Sequence, residues 1–208
     1  MSKLVKLTCW GIVFMFIWYN VVYQTVTFMT DSPTVDYVVM KTIMNPQKLL
    51  FNNSLLFSTF LYVCMDELNR IEFVIRIRKR ESIIIAKYLI YTVIYNFLLF
   101  GAIYVFTCLL YGEMIDATKF VFPYVKVLFL NVMFASFFCI FTMSLKKILA
   151  MGIVIISSIC CISGYLLYTF VKNEDVAFSF LDNTCAHVLI SVFVMAYCLL
   201  KLRTKEYY

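Results

Sequence analysis

The chain has 208 residues, of which 63% are hydrophobic and only 14% charged, with a formal net charge of +6 and a mean hydropathy of +0.90. A soluble domain is nearer half apolar and a quarter charged, so this composition excludes a water-soluble globule and points to a solvent that is largely lipid. One histidine and eight cysteines without a C-x-x-C spacing argue against a metal centre or a disulfide framework, and the cysteines read as small apolar residues.

No formal charge falls between Lys6 and Asp31, Lys48 and Asp66, Lys87 and Glu113, Lys126 and Lys146, Lys147 and Lys172, or Asp182 and Lys201. Each run is near the length of about 17 to 25 residues that a helix needs to cross hydrocarbon. A spanning segment must satisfy its own backbone, and continuous apolar runs lack the alternation of barrel strands. The expected fold is therefore all-α, a polytopic membrane protein in a single domain over residues 1–208, with six crossings at about 7–29, 49–65, 88–111, 123–145, 148–171 and 183–200.

Crossing one follows a short basic segment but lacks a small-residue cleavage site, so it reads as an uncleaved span rather than a signal peptide. The outer segment 31–48 opens on Ser32-Pro33, a helix start, and Val35, Val38, Val39 and Ile43 share one helical face. Either a surface helix or an ordered loop fits it. Crossings four and five are joined only by Lys146-Lys147, which requires an antiparallel hairpin. The basic residues give the orientation. The N-terminus, the 66–87 loop, the Lys146-Lys147 turn and the tail hold 13 of the 18 Lys and Arg, which places both termini in the cytoplasm.

Polar residues inside the crossings are few. Asn96 and Asn131 read as interhelical hydrogen-bonding groups. Asn20 and Gln24 share a face of crossing one beside Tyr19 and Tyr23, either an interfacial aromatic anchor or part of a substrate path. Crossing five carries Ser157, Cys160, Cys161 and Gly164 at small-x-x-x-small spacing, which suits close helix packing within the chain or dimerisation. Ion coupling would need ionisable groups at mid-membrane depth, and the crossings supply none. A nucleotide-binding P-loop is also absent, because none of the five glycines precedes a lysine.

The loop D-E-L-N-R-I-E-F-V-I-R-I-R-K-R-E-S-I-I-I-A-K, residues 66–87, is the sizeable cytoplasmic segment. Leu68, Ile71 and Ile75 fall on one helical line and Phe73 with Ile77 on another, although Ile75-Arg76-Ile77-Arg78 also alternates like a strand. Its cations could simply fix orientation and meet anionic headgroups, at roughly 1 kcal/mol each. Six crossings, cytoplasmic ends and a charged loop between crossings two and three nevertheless resemble the permease subunits of ABC-2-type ABC transporters. The resemblance is closest to small bacterial permeases for export of, or immunity to, lantibiotics, bacteriocins and other cytolytic peptides. It rests on Arg76-Ile77-Arg78-Lys79-Arg80 followed by Lys87, while Ile83-Ile84-Ile85 stand where many relatives carry a tryptophan.

That resemblance implies a coupling helix bearing Asp66, Glu67, Arg70, Ile71, Glu72, Ile75, Arg76, Arg78, Lys79 and Arg80, docked on a cytosolic ABC ATPase subunit. ATP and Mg would be bound by that partner, with no cofactor or metal on this chain. It also implies a second permease subunit, as homodimer or paralogous heterodimer, meeting through crossings one and five, with Tyr19, Asn20, Tyr23 and Gln24 beside the substrate. The setting would be the bacterial cytoplasmic membrane, with lipid and no nucleic acid as further contacts. Two other readings remain. One is a membrane-embedded immunity or scaffold protein without transport. The other is an intramembrane serine hydrolase, suggested by Cys161-Ile162-Ser163-Gly164 with His187 on the next crossing, or by Asp66-Glu67-x-x-Arg70 as an incomplete membrane-protease motif.

Overall fold

The charge-free runs fold as helices, the form in which apolar backbone satisfies its own hydrogen bonds. The computed structural model describes residues 3–27, 48–65, 81–112, 114, 116–144, 147–172 and 184–204. Among them every regular element is helical and none is a strand. In chain order these are α1 (Lys3–Thr27), a π-helical turn (Lys48–Asn53) running into α2 (Ser54–Cys64), α3 (Glu81–Tyr111), a 3-10 turn (Ala117–Phe120) running into α4 (Val121–Ser144), α5 (Lys147–Lys172) and α6 (Thr184–Thr204). Three described helices are long and apolar enough to cross a membrane: Lys3–Thr27, Ile85–Tyr111 and Val121–Thr142. The chain is accordingly a membrane-associated, all-α protein.

Helix and expected crossing do not coincide at two places. Helix α3 begins at Glu81, inside the 66–87 segment, while its stretch apolar enough to cross a membrane is Ile85–Tyr111. Glu, Ala and Lys are good helix formers and nothing between Glu81 and Lys87 breaks a helix. The expected crossing 49–65 also contains only 11 residues of α-helix, about 16 Å against roughly 30 Å of hydrocarbon. The rest of that run is the π-helical turn. The expected surface helix at 31–48 and the segment Asp66–Arg80 lie outside the described residues, apart from Lys48.

Aromatic and polar pairs fix how the helices run. Going up α3, Tyr88 meets Thr142, Asn96 meets Asn131, Phe100 meets Tyr124 and Tyr104 meets Phe120, so α3 and α4 are antiparallel. Phe57 meets Tyr95 and Phe60 meets Tyr91, so α2 and α3 are antiparallel too. Phe14 meets Tyr95 and Tyr19 meets Phe106, which makes α1 parallel to α3. The first four helices therefore alternate in direction.

The α3–α4 link is closed by specific chemistry. Gly112 sits at φ +70° just past Tyr111, and its N–H donates to the Cys108 carbonyl at 2.9 Å, a left-handed cap that satisfies one of the last carbonyls of α3. Asp116 then caps the 3-10 turn by accepting from the Thr118 N–H at 3.0 Å. Pro123 falls in the first turn of α4, where a missing N–H costs little.

Burial identifies the centre. The buried share of the spanning window rises from 22% in α1 to 39% in α3 and 56% in α4. Helix α4 packs against α2, α3, α5 and α6, and α2 and α5 also pack on each other. Close approach to α4 is possible because Asn131, Ala135, Ser136 and Cys139 place small or short side chains in its buried surface. Lys126 lies in the second turn of α4 and is buried rather than in an outer loop; its ammonium sits 4.3 Å above the Phe122 ring, back toward the helix start. A long stem that carries its charge toward the boundary is the usual answer to a cation in a spanning helix.

Candidate functional site

Asn53, Asn96 and Asn131 are each fully buried, and their carboxamides join three helical elements in one chain. The Tyr95 hydroxyl donates to Asn53 Oδ1 at 3.1 Å, Asn53 Nδ2 to Asn131 Oδ1 at 2.7 Å, Asn131 Nδ2 to Asn96 Oδ1 at 2.7 Å, and Asn96 Nδ2 to the Tyr124 carbonyl at 3.2 Å. The far end fixes the direction. A backbone carbonyl only accepts, so Asn96 must present its nitrogen there and its oxygen to Asn131. The same logic passes through Asn131 to Asn53 and makes Tyr95 the first donor. Every dipole then points the same way, so each bond polarises the next.

This chain lies near mid-depth. Asn131 is at the middle of Val121–Thr142, and Asn96 is about two residues (~3 Å) from the middle of Ile85–Tyr111. Asn53 is level with them, at the junction of the π-helical turn and α2. Helix α2 thus runs about 16 Å from the amide chain to Met65. Neutral amides with mutual partners are a far cheaper way to place polarity at that depth than ionised groups.

Aromatic rings seal one end. Tyr95 is surrounded by Phe57, Phe60, Phe14 and Trp10, with ring centroids 4.9, 5.6, 5.9 and 6.1 Å away. Trp10 adds a polar tie from α1, donating through Nε1 to the Leu56 carbonyl at 3.1 Å. A second rung joins α3 and α4 toward the other end of the pair. Thr142 spends its single hydroxyl proton on the Cys139 carbonyl at 2.9 Å, so Tyr88 is the donor in the 3.0 Å Tyr88–Thr142 bond.

The residues singled out from sequence divide into several groups. Asn96 and Asn131 form interhelical hydrogen bonds, the role expected for them. Asn53 and the phenol of Tyr95 were not anticipated. An asparagine near the start of an apolar run looks like a boundary residue, and the only available signal was that three asparagines fall in facing segments. Tyr19, Tyr23 and Gln24 are exposed on α1, with Tyr19 and Tyr23 stacked at 6.0 Å, while half-buried Asn20 donates back to the Phe16 carbonyl at 2.8 Å. On α5, Ser157 and Cys160 are exposed, whereas Ala150 and Val154 face the core. The described side chains of that small-residue face thus point away from the bundle.

Ser163 is also exposed on α5 and donates to the Ile159 carbonyl at 3.0 Å. The side chains of Cys161 and His187 lie outside those described, as do the surroundings of Gly164 and the whole basic segment Asp66–Arg80. No protein-family model matches the chain, and neither the curated proteins nor the solved structures contain a significant match to it.

Proposed function

We propose that the chain is the permease subunit of an ATP-driven exporter in the bacterial cytoplasmic membrane. It would form a six-crossing bundle with both termini cytoplasmic and be driven by a separate ATPase. The observation that carries this reading is the nature of the polar groups at mid-depth. They are neutral amides, fully buried and bonded to one another, so the amide chain itself offers neither an ionised group for ion coupling nor a polar surface open to cargo; the buried cation of α4, Lys126, lies nearer the helix start, over the Phe122 ring. Energy then enters from outside the bundle, and cargo moves along its surface.

Two features support these two parts of the reading, one in the sequence and one on the described helices. The Arg76–Arg80 cluster, in a segment that mixes cations with Asp66, Glu67 and Glu72, suits a specific protein partner. That segment joins α2, the helix buried on most sides, to α3, and the cluster itself ends immediately before Glu81. A push on that segment would travel along α2 to the amide chain. Helices α1 and α5 both flank α2, and they expose Tyr19, Tyr23 and Gln24 on one and Ser157 and Cys160 on the other. In this reading these two surfaces meet a second permease subunit and an amphipathic, membrane-active peptide crosses beside them.

The test is charge reversal. Arg76→Glu, Arg78→Glu and Arg80→Glu together should release the co-purifying ATPase and abolish ATP-dependent export while leaving membrane insertion intact. If the ATPase stays bound and export persists, the coupling role is wrong. If resistance to the peptide persists with the ATPase deleted, the chain is an immunity protein that does not transport.

A further inference from the structure

Asn53 has a twin. Asn52 precedes it, half-buried, and makes no side-chain hydrogen bond among the described residues. Both belong to the π-helical turn Lys48–Asn53, whose i→i+5 pattern holds extra backbone relative to an α-helix. Carbonyls in and just after that turn receive side-chain donors. Ser54 donates to Phe51 at 3.2 Å, Thr59 shares its one proton between Leu55 and Leu56 at 2.9 Å each, and Trp10 donates to Leu56, while the Tyr95 hydroxyl, whose proton serves Asn53 Oδ1, also lies 3.4 Å from the Asn53 carbonyl. Such donors keep carbonyls satisfied at a depth without water when the helical N–H groups change partners.

The rest of α2 also suits a change of register. Leu56, Phe57, Phe60 and Leu61 bury several sides of the helix, so a turn about its axis brings no charged face toward lipid. Ser58 is buried with its hydroxyl unpartnered among the described residues, an unmet group in the observed register.

We propose that α2 has two registers, with Asn52 and Asn53 as alternative members of the amide chain. In the second register the π-helical turn closes to α-helix. Helix α2 advances toward Met65 by one residue, about 1.5 Å along and about 100° around its axis. Asn52 then takes the place of Asn53 between Tyr95 and Asn131. The inference rests on the described helices alone and is independent of cargo and motor.

The experiment uses the full-length chain in lipid nanodiscs with 4-fluorophenylalanine at position 57, because Phe57 lies 4.9 Å from the Tyr95 ring and reports its ring current. Asn52→Ala should keep the parent resonance and unfolding midpoint. Asn53→Ala should move the resonance as α2 slips, and should lower the midpoint by less than half the loss given by Asn131→Ala. The double variant Asn52→Ala/Asn53→Ala should lose as much as Asn131→Ala. The proposal is overturned if Asn53→Ala keeps the parent resonance, or if it costs as much as the double variant. Should the double variant not fold, the resonance in folded Asn53→Ala decides alone.

Discussion

Replacing Asn131 by leucine tests whether the amide chain carries stability as a connected unit. The change is close in volume but removes the central link, breaking the two 2.7 Å bonds to Asn53 and Asn96. Interhelical hydrogen bonds in membranes are worth about 0.6 kcal/mol on average and about 1.7 at most, so the two bonds account for about 1–3 kcal/mol. The larger effect is what remains. Asn53 Nδ2 and Asn96 Oδ1 are left at fully buried positions without their partner, at about 1–3 kcal/mol each. A loss of about 3–9 kcal/mol is expected, measured by reversible unfolding of the full chain in mixed micelles. Tyr95→Phe keeps the ring and its aromatic neighbours and removes only the terminal donor, for about 1 kcal/mol. The decisive comparison is the triple variant Asn53→Leu/Asn96→Leu/Asn131→Leu, which removes the stranded amides together and should be more stable than Asn131→Leu alone. If the single variant is neutral, or the triple variant is the sum of its parts, the amides are not a connected network.

Four further outcomes are expected. Gly112→Ala should lower stability by about 1–2 kcal/mol through its left-handed backbone alone, since an added Cβ meets no atom within 4 Å; Gly112→Asn should recover part of the loss in the same assay. Trp10→Phe keeps an aromatic ring but drops the bond to the Leu56 carbonyl, so thermal unfolding should report a loss of about 0.5–1.5 kcal/mol. Ala135→Leu forces a larger side chain into the fully buried surface of α4 and should destabilise the monomer by about 1–3 kcal/mol or more, whereas Ser157→Leu on the exposed side of α5 should leave monomer unfolding unchanged. Mild oxidation in membranes should trap a Cys160-linked dimer, visible on a non-reducing gel and lost in Cys160→Ser but not in Cys9→Ser, if α5 meets a second copy.

The apolar runs revealed the helices because charge is expensive in lipid and clusters at helix ends. Charge patterning does not show how far a helix continues past its apolar stretch, as at Glu81–Lys87, where α3 begins four residues before the span Ile85–Tyr111. Nor does it show the π geometry of Lys48–Asn53, where no glycine or proline marks the change from α to π. Interhelical bonding by Asn96 and Asn131 was legible, since an amide deep in an apolar run must find a partner. Its extension to Asn53 and Tyr95 was not, because register between helices is a tertiary property. The small-residue spacing of crossing five fits packing within the chain or dimerisation; the described residues Ser157 and Cys160 face outward, and among the described residues α4 carries a buried small surface. Spacing reveals that a helix can be approached closely but not which neighbour does so.

The amide chain also explains how such a bundle keeps one arrangement. Hydrophobic association does not select a register in lipid, because Leu, Ile and Phe are equally at home against acyl chains. The aromatic cluster around Tyr95 supplies contact, but stacked rings tolerate displacement. Directional bonds do not: a one-residue slip of α3 past α4 would separate Asn96 from Asn131 and leave both amides without partners in hydrocarbon. Asn53 imposes the same condition on α2. Here the neighbouring Asn52 weakens the condition in one direction only, since a slip that brings in residue 52 keeps an amide available and a slip that brings in Ser54 does not. The polar chain therefore holds α3 and α4 in a single alignment while leaving α2 one permitted step.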